Sequence, residues 1–235
     1  MKKLMILTAI IGMFLLAIPA QAQMKTVVSL TGSVFDSETR QPVKVRMEAY
    51  NEKGKRKAVA GSNAKSGNYF LTGLRPGHTY TIRFVGKAYF SYEYEVTIPK
   101  TDKYAEYSKD YLLTPKKQGL KIPLAVSPFE LHKSKLRAGA DFFLSDILKT
   151  LTKNPRIKFE IVSFPDDMDD MVANKKLTNS RSKALMAYLT ENSIDASRMT
   201  SKGIAMIDPD NPLPTRKQAK GKRYIGRTYI VIKEI

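Results

Sequence analysis

The chain has 235 residues, 40 Lys and Arg against 22 Asp and Glu, no Cys, no Trp and two His. That length predicts one large or two small domains, and 43% apolar residues is enough for genuine cores, which excludes wholesale disorder. The absence of Cys removes disulfides, thiolate metal sites and Cys nucleophiles, and His78 and His132 lie too far apart in sequence to suggest a His metal centre or a Ser-His-Asp triad. Most enzyme chemistry is therefore disfavoured, no cofactor is implied, and the chain reads as non-enzymatic.

Residues 1–22 read as a signal peptide: Lys2 and Lys3, an apolar run from Leu4 to Ile18, and the small-x-small site Ala20-Gln21-Ala22. Cleavage would leave no later stretch apolar enough to span a bilayer. Without the two leader lysines the net charge is +16, shared evenly between residues 23–119 and residues 120–235. A diffuse positive field on an exported protein attracts polyanions without selecting nucleic acid. The densest run, Arg216-Lys217-Gln218-Ala219-Lys220-Gly221-Lys222-Arg223, reads as a solvated loop after Pro209–Pro214.

From Val27 to Ile98 the sequence alternates in short stretches, Val27–Val34, Val43–Tyr50, Tyr69–Leu71, Tyr80–Val85 and Tyr92–Ile98, separated by Gly, Asn, Ser and Pro. That pattern predicts an all-β sandwich or barrel, with Tyr111-Leu112-Leu113 as its last strand. The order Leu30–Asp36, Pro42-Val43, Ser66–Leu71, Leu74-Arg75-Pro76-Gly77-His78-Thr79-Tyr80 resembles the carboxypeptidase regulatory-like family. The resemblance implies a sandwich of transthyretin-like topology over residues 23–113, serving as a spacer or as the docking module for an envelope protein partner. His78 is expected on a turn surface. Thr114-Pro115-Lys116-Lys117-Gln118-Gly119 reads as a linker.

Residues 120–235 switch to mixed periods. Ser134 is the expected cap of a helix carrying Leu136, Ala140, Phe143, Leu144, Ile147, Leu148 and Leu151 inward, which Asn154-Pro155 ends. Ile157–Ser163 reads as a strand, a second helix is expected from about Asn174 with Leu177, Leu185 and Leu189 inward, and Ser201–Ile204 and Thr228–Ile232 supply further strands. The sum is an α+β sheet covered by helices on one face.

Two charges stand out by position: Asp166 follows the strand Ile157–Ser163, and Arg181 lies in the next helix on a turn that can face it. A carboxylate holds an ammonium and a guanidinium fork holds a carboxylate, so the pair suits an amino-acid-like group. Spacing alone favours a plain salt bridge. The run Asn174-Lys175-Lys176-Leu177-Thr178-Asn179-Ser180-Arg181, ending in Tyr188-Leu189, resembles the OmpA-like C-terminal domain, and so does the order of Phe129-Glu130-Leu131, Leu148–Leu151, Asn154–Ile157 and Ile194–Met199. That resemblance implies a β-α-β-α-β-β peptidoglycan-associating domain, with Phe129-Glu130-Leu131 in its first strand. Asp166 would take the ammonium of a peptidoglycan stem peptide and Arg181 its carboxylate, with Asn174 and Arg227 also at the ligand. The implied setting is the periplasm, beside the outer membrane.

Some positions depart from the family pattern. Ser163-Phe164-Pro165 replaces its Gly-His/Tyr-Thr, and Pro165 deletes one backbone donor. Asp169 replaces a Gly within Asp166-Asp167-Met168-Asp169-Asp170. These leave a rival expectation: a scaffold of the same fold without ligand binding, acting as a structural subunit of an outer-membrane or secretion assembly. The acidic run lacks the order of a calcium loop and reads as a solvated turn.

Overall fold

A computed structural model describes residues 26–215 and 223–235. The signal peptide expected over 1–22 and all of the basic run except Arg223 lie outside the described residues. Among the described residues, twelve strands, two α-helices and one 3-10 turn form two cores.

The first core lies between two four-stranded sheets. One has β4 (Asn68–Leu74), β1 (Val28–Asp36) and, along the far edge of β1, β7 (Ala105–Ser108) followed by β8 (Tyr111–Leu113). The other has the order β3 (Arg56–Gly61), β2 (Arg46–Asn51), β5 (Thr79–Val85), β6 (Glu93–Thr97). Alternation explains the packing: Val28, Leu30 and Val34 from β1 meet Met47, Ala49, Ile82 and Phe84 from the opposite sheet. Strand β1 changes partner at Gly32. Residues 28–31 pair with β7 and residues 34–36 with β8, both parallel, and the carbonyl oxygen of Lys109 would lie 2.3 Å from any Cβ at position 32. Gly32 also adopts φ 134°, so only glycine fits that crossing. In the turn before β5, the Arg75 N–H donates to the Tyr80 hydroxyl at 2.8 Å. His78 is exposed, as the turn reading expects.

Strands β3 and β7 are absent from the sequence reading. β3 shows only Ala58 and Ala60 to the core, after exposed Arg56 and Lys57 and alternating with exposed Val59 and Gly61, too little apolar bulk to signal a strand. The expected strand Val43–Tyr50 starts three residues later, because Val43 and Val45 spend their N–H groups on Val34 O and Ser62 Oγ.

The second unit has the order β9 (Lys121–Pro123), α1 (Ala140–Lys153), β10 (Lys158–Ser163), α2 (Met171–Glu191), a 3-10 turn (Ala196–Arg198), β11 (Met199–Gly203) and β12 (Thr228–Glu234). Its sheet runs β11-β10-β12-β9, with β10 and β11 parallel and the other pairs antiparallel. Leu144, Ile147 and Leu151 of α1 and Leu185 and Leu189 of α2 cover Phe159, Ile161, Ile230 and Ile232, so both helices lie on one face. The other face carries a small cluster of Val162, Phe164 and Tyr229.

Three expectations are corrected here. The first strand is Lys121–Pro123, and Phe129 sits in the following loop, where it makes an isolated bridge to Leu136. The first helix starts at Ala140 behind Gly139 at φ 76°, not at Ser134, because Leu136 is held in that bridge and Arg137 N–H is spent on Pro128 O. The second starts at Met171, capped by Asp170, whose carboxylate accepts from the N–H groups of Val172 and Ala173 at 2.8 and 3.1 Å.

The connecting residues are tied to both units. Phe90 N–H donates to Thr114 O and Lys116 N–H to Ala88 O, while Gly119 N–H donates to Ile232 O. Phe90, from the loop between β5 and β6, is 1% exposed and lies within the second core. Beside it Asn154 Oδ1 accepts from Ser91 N–H at 3.1 Å, and Lys153 pairs with Glu93 at 2.7 Å.

Candidate functional site

Asp166 lies three residues beyond the end of β10, at the edge of the sheet where β11 ends and β12 begins. Arg181 projects from the middle of α2. The two side chains meet in a bidentate pair, Nη1 to Oδ1 at 2.6 Å and Nη2 to Oδ2 at 2.8 Å, with neither side chain exposed. The remaining valences are filled by main chain. Arg181 Nε donates to Lys133 O at 2.9 Å and Nη2 to Glu130 O at 2.9 Å. Asp166 Oδ2 accepts from His132 N–H at 2.7 Å and Oδ1 from Gly226 N–H at 2.8 Å. Four of the five guanidinium N–H groups thus have protein acceptors, and the carboxylate takes four donors. The face of Phe129 lies 5.3 Å from the guanidinium carbon.

The sequence reading brought the right two charges together and assigned them the wrong separation. They are in direct contact, with no ligand-sized gap between them, so they form a clasp tying together α2, the loop after β10, the loop 129–133 and the residue two before β12. Proline at 165 cannot donate, and the N–H groups that hold the carboxylate come from His132 and Gly226. These main-chain partners carry no side-chain signature in the sequence. Gly226 is the exception in kind: a Cβ there would lie 2.1 Å from Phe164 O and 2.3 Å from Pro165 O, so only glycine lets this segment approach the acid.

Of the other expected ligand residues, Asn174 is buried and donates through Nδ2 to Asp167 O at 2.9 Å, fixing the acidic turn and leaving the pair untouched. Arg227 is exposed; its carbonyl accepts from Phe164 N–H, and its guanidinium neighbours the Tyr229 hydroxyl, which also donates to buried Asp208 at 2.5 Å. Neither joins the Asp166–Arg181 contact. The acidic turn is consumed locally: Asp170 caps α2, and Asp167 Oδ1 accepts from Asp169 N–H at 3.1 Å. No group of three or more His, Cys, Asp or Glu suited to a metal occurs among the described residues, and none of their helices is long and apolar enough to cross a membrane.

Burial by itself would raise the Asp166 pKa, but the Arg181 guanidinium and the N–H groups of His132 and Gly226 outweigh it and hold the carboxyl below the usual 3.8. A depressed carboxylate contributes stability that is present above the unfolded-state value and is lost as pH falls through the folded-state one. The stability difference between the wild-type chain and Asp166→Asn should therefore be full at pH 7 and shrink below about pH 4. Urea midpoints measured at pH 7, 5 and 3 check this; a constant difference refutes it.

Helix α2 is held over β11 largely by polar contacts. Thr178 Oγ1 donates to Ile204 O at 2.9 Å, Ser182 Oγ to Lys202 O at 3.0 Å, and Asn179 Oδ1 accepts from Gly203 N–H at 2.9 Å. A Cβ at Gly203 would lie 2.3 Å from Asn179 N and 2.4 Å from Thr178 Oγ1. Gly203→Ala should therefore push the helix off the strand and cost about 2–3 kcal/mol, readable as a lowered urea midpoint.

No family model matches this chain, and no curated protein matches it. Among solved structures it is similar to the peptidoglycan-associated lipoprotein from Burkholderia pseudomallei, at 14% identity and TM-score 0.37 over 45% of this chain and 86% of that one. It is also similar to the shaft pilin SpaA from Lactobacillus rhamnosus GG, at 19% identity and TM-score 0.31 over 40% of this chain and 49% of that one. A third likeness is to the Bacillus anthracis TIE protein, at 17% identity and TM-score 0.32 over 38% and 16% of the two chains. These likenesses assign no activity.

Proposed function

We propose that this chain is a non-enzymatic, two-module scaffold of the bacterial cell envelope, in which the second module is held closed by its charged clasp and the first serves as the surface for a protein partner. The signal peptide expected over residues 1–22 and the motif order of residues 120–235 support the envelope setting. The observation that carries the scaffold reading is that Asp166 and Arg181 are bonded to each other and to four main-chain groups, with no exposure of either side chain. A carboxylate with four donors and a guanidinium with four of its five N–H groups bonded gain little from a ligand unless the clasp opens, and opening it would strand a buried charge.

A second reading keeps peptidoglycan as the ligand, favoured by the convergence of the two residues that the motif order assigns to the stem peptide. Sedimentation with purified murein sacculi separates the two. The scaffold reading expects retention that vanishes at moderate salt, as for any strongly basic protein on an anionic wall. Retention that survives such salt and is competed by free diaminopimelate overturns it and supports stem-peptide binding.

A further inference from the structure

The loop that supplies carbonyls to Arg181 also lines a cleft of about 460 Å³, formed by Phe129, Glu130, Leu131, Lys133, Arg137, Arg223 and Ile225. Its cations are not matched by acids. Glu130, the one carboxylate in the lining, hydrogen-bonds Lys133, which holds its pKa below the ordinary range. Arg137 stacks on Phe143, its guanidinium carbon 4.2 Å from the ring centroid, and its buried Nε has no hydrogen-bond partner. Among the described residues, only Arg137 Nε and Tyr111 Oη are buried side-chain polar atoms left in that condition. A half-buried guanidinium stacked on an aromatic ring, with its buried Nε–H lacking an acceptor, is an unusual expense in a folded chain and calls for an acceptor from outside.

Arg223 adds a second guanidinium, an exposed one, at the same cleft. The floor is apolar: Phe129 is buried, and Leu131 and Ile225 are half-buried. We infer that this cleft binds an oxyanion, carboxylate or phosphate, carried on an apolar body: the anion sits on the Arg137 and Arg223 forks and the apolar part on Phe129, Leu131 and Ile225. The site uses neither Asp166 nor Arg181, and it does not depend on whether the clasp ever opens.

Calorimetric titration of the full chain tests it with N-acetyl-leucine and phenyl phosphate as anionic probes and N-acetyl-leucinamide as the neutral match to the first. The site requires that at least one anion binds, which also tells a carboxylate source from a phosphate one, and that the amide binds at least about tenfold more weakly. Arg137→Lys, which keeps the charge and loses the fork, should weaken the bound anion about tenfold, and so should Arg223→Gln at an exposed position where folding is not at stake. Equal binding of amide and acid, affinity unchanged in both variants, or no heat from either anion at millimolar concentration overturns the inference.

Discussion

Arg181→Ala is expected to destabilise the second module by about 3–5 kcal/mol, because it leaves Asp166 buried without its counter-charge and strips acceptor carbonyls at Glu130 and Lys133 of their donor. Asp166→Ala should cost a similar amount for the mirror reason. The double variant Asp166→Leu/Arg181→Met is expected to recover much of the loss, since removing both charges together strands neither. Urea melts of the wild-type chain, Asp166→Leu, Arg181→Met and the double variant form a double-mutant cycle. Additive losses in the double variant would show that the two side chains act independently, contrary to the bidentate geometry.

Phe90→Ala is expected to have an effect of similar size in a different place. The ring belongs to a loop of the first module and is buried among Leu120, Phe129 and Ile157 of the second core, so its removal leaves a cavity that costs about 3–5 kcal/mol. It also removes the fully buried apolar contact of the junction and leaves the half-buried Tyr92, the Ser91–Asn154 hydrogen bonds and the exposed Glu93–Lys153 pair. The variant should therefore become sensitive to limited proteolysis between residues 114 and 119, where the wild-type chain is protected by its bonds to Ala88, Phe90 and Ile232. A cleavage rate equal to wild type would show that the two modules were never mechanically joined through this ring.

The two-module division and most elements could be read from periodicity, because alternation in β1 and β5 and the three- and four-residue steps of Leu144, Ile147, Leu148 and Leu151 report burial directly. The failures have physical causes. β3 hides its strand behind alanines and charges, and the start of α1 is displaced by a bridge between Phe129 and Leu136 that no local propensity encodes. Helix α2 was located by Leu177, Leu185 and Leu189, but its buried face over the first three turns is Asn174, Thr178, Arg181 and Ser182, which an apolar stripe search passes over. For the site, sequence spacing identified Asp166 and Arg181 as a pair and could not set their distance. That distance depends on where the loop 129–133 and Gly226 place their main-chain groups, about which side-chain identity says nothing. The linker reading missed that Phe90 crosses from one module into the other, because a lone aromatic in a turn between strands looks like any surface ring.

The polar seam between α2 and β11 sets how that helix can move. Leucine against isoleucine tolerates sliding, but Thr178, Asn179 and Ser182 each address one particular main-chain group on residues 202–204, and the missing side chain at 203 is where the helix backbone comes closest. An axial slip of one residue would orphan all three bonds at once, so the helix has a single seating. Release should occur as one event, and the amide proton of Gly203, which donates to Asn179 across the seam, should exchange at the rate of that event.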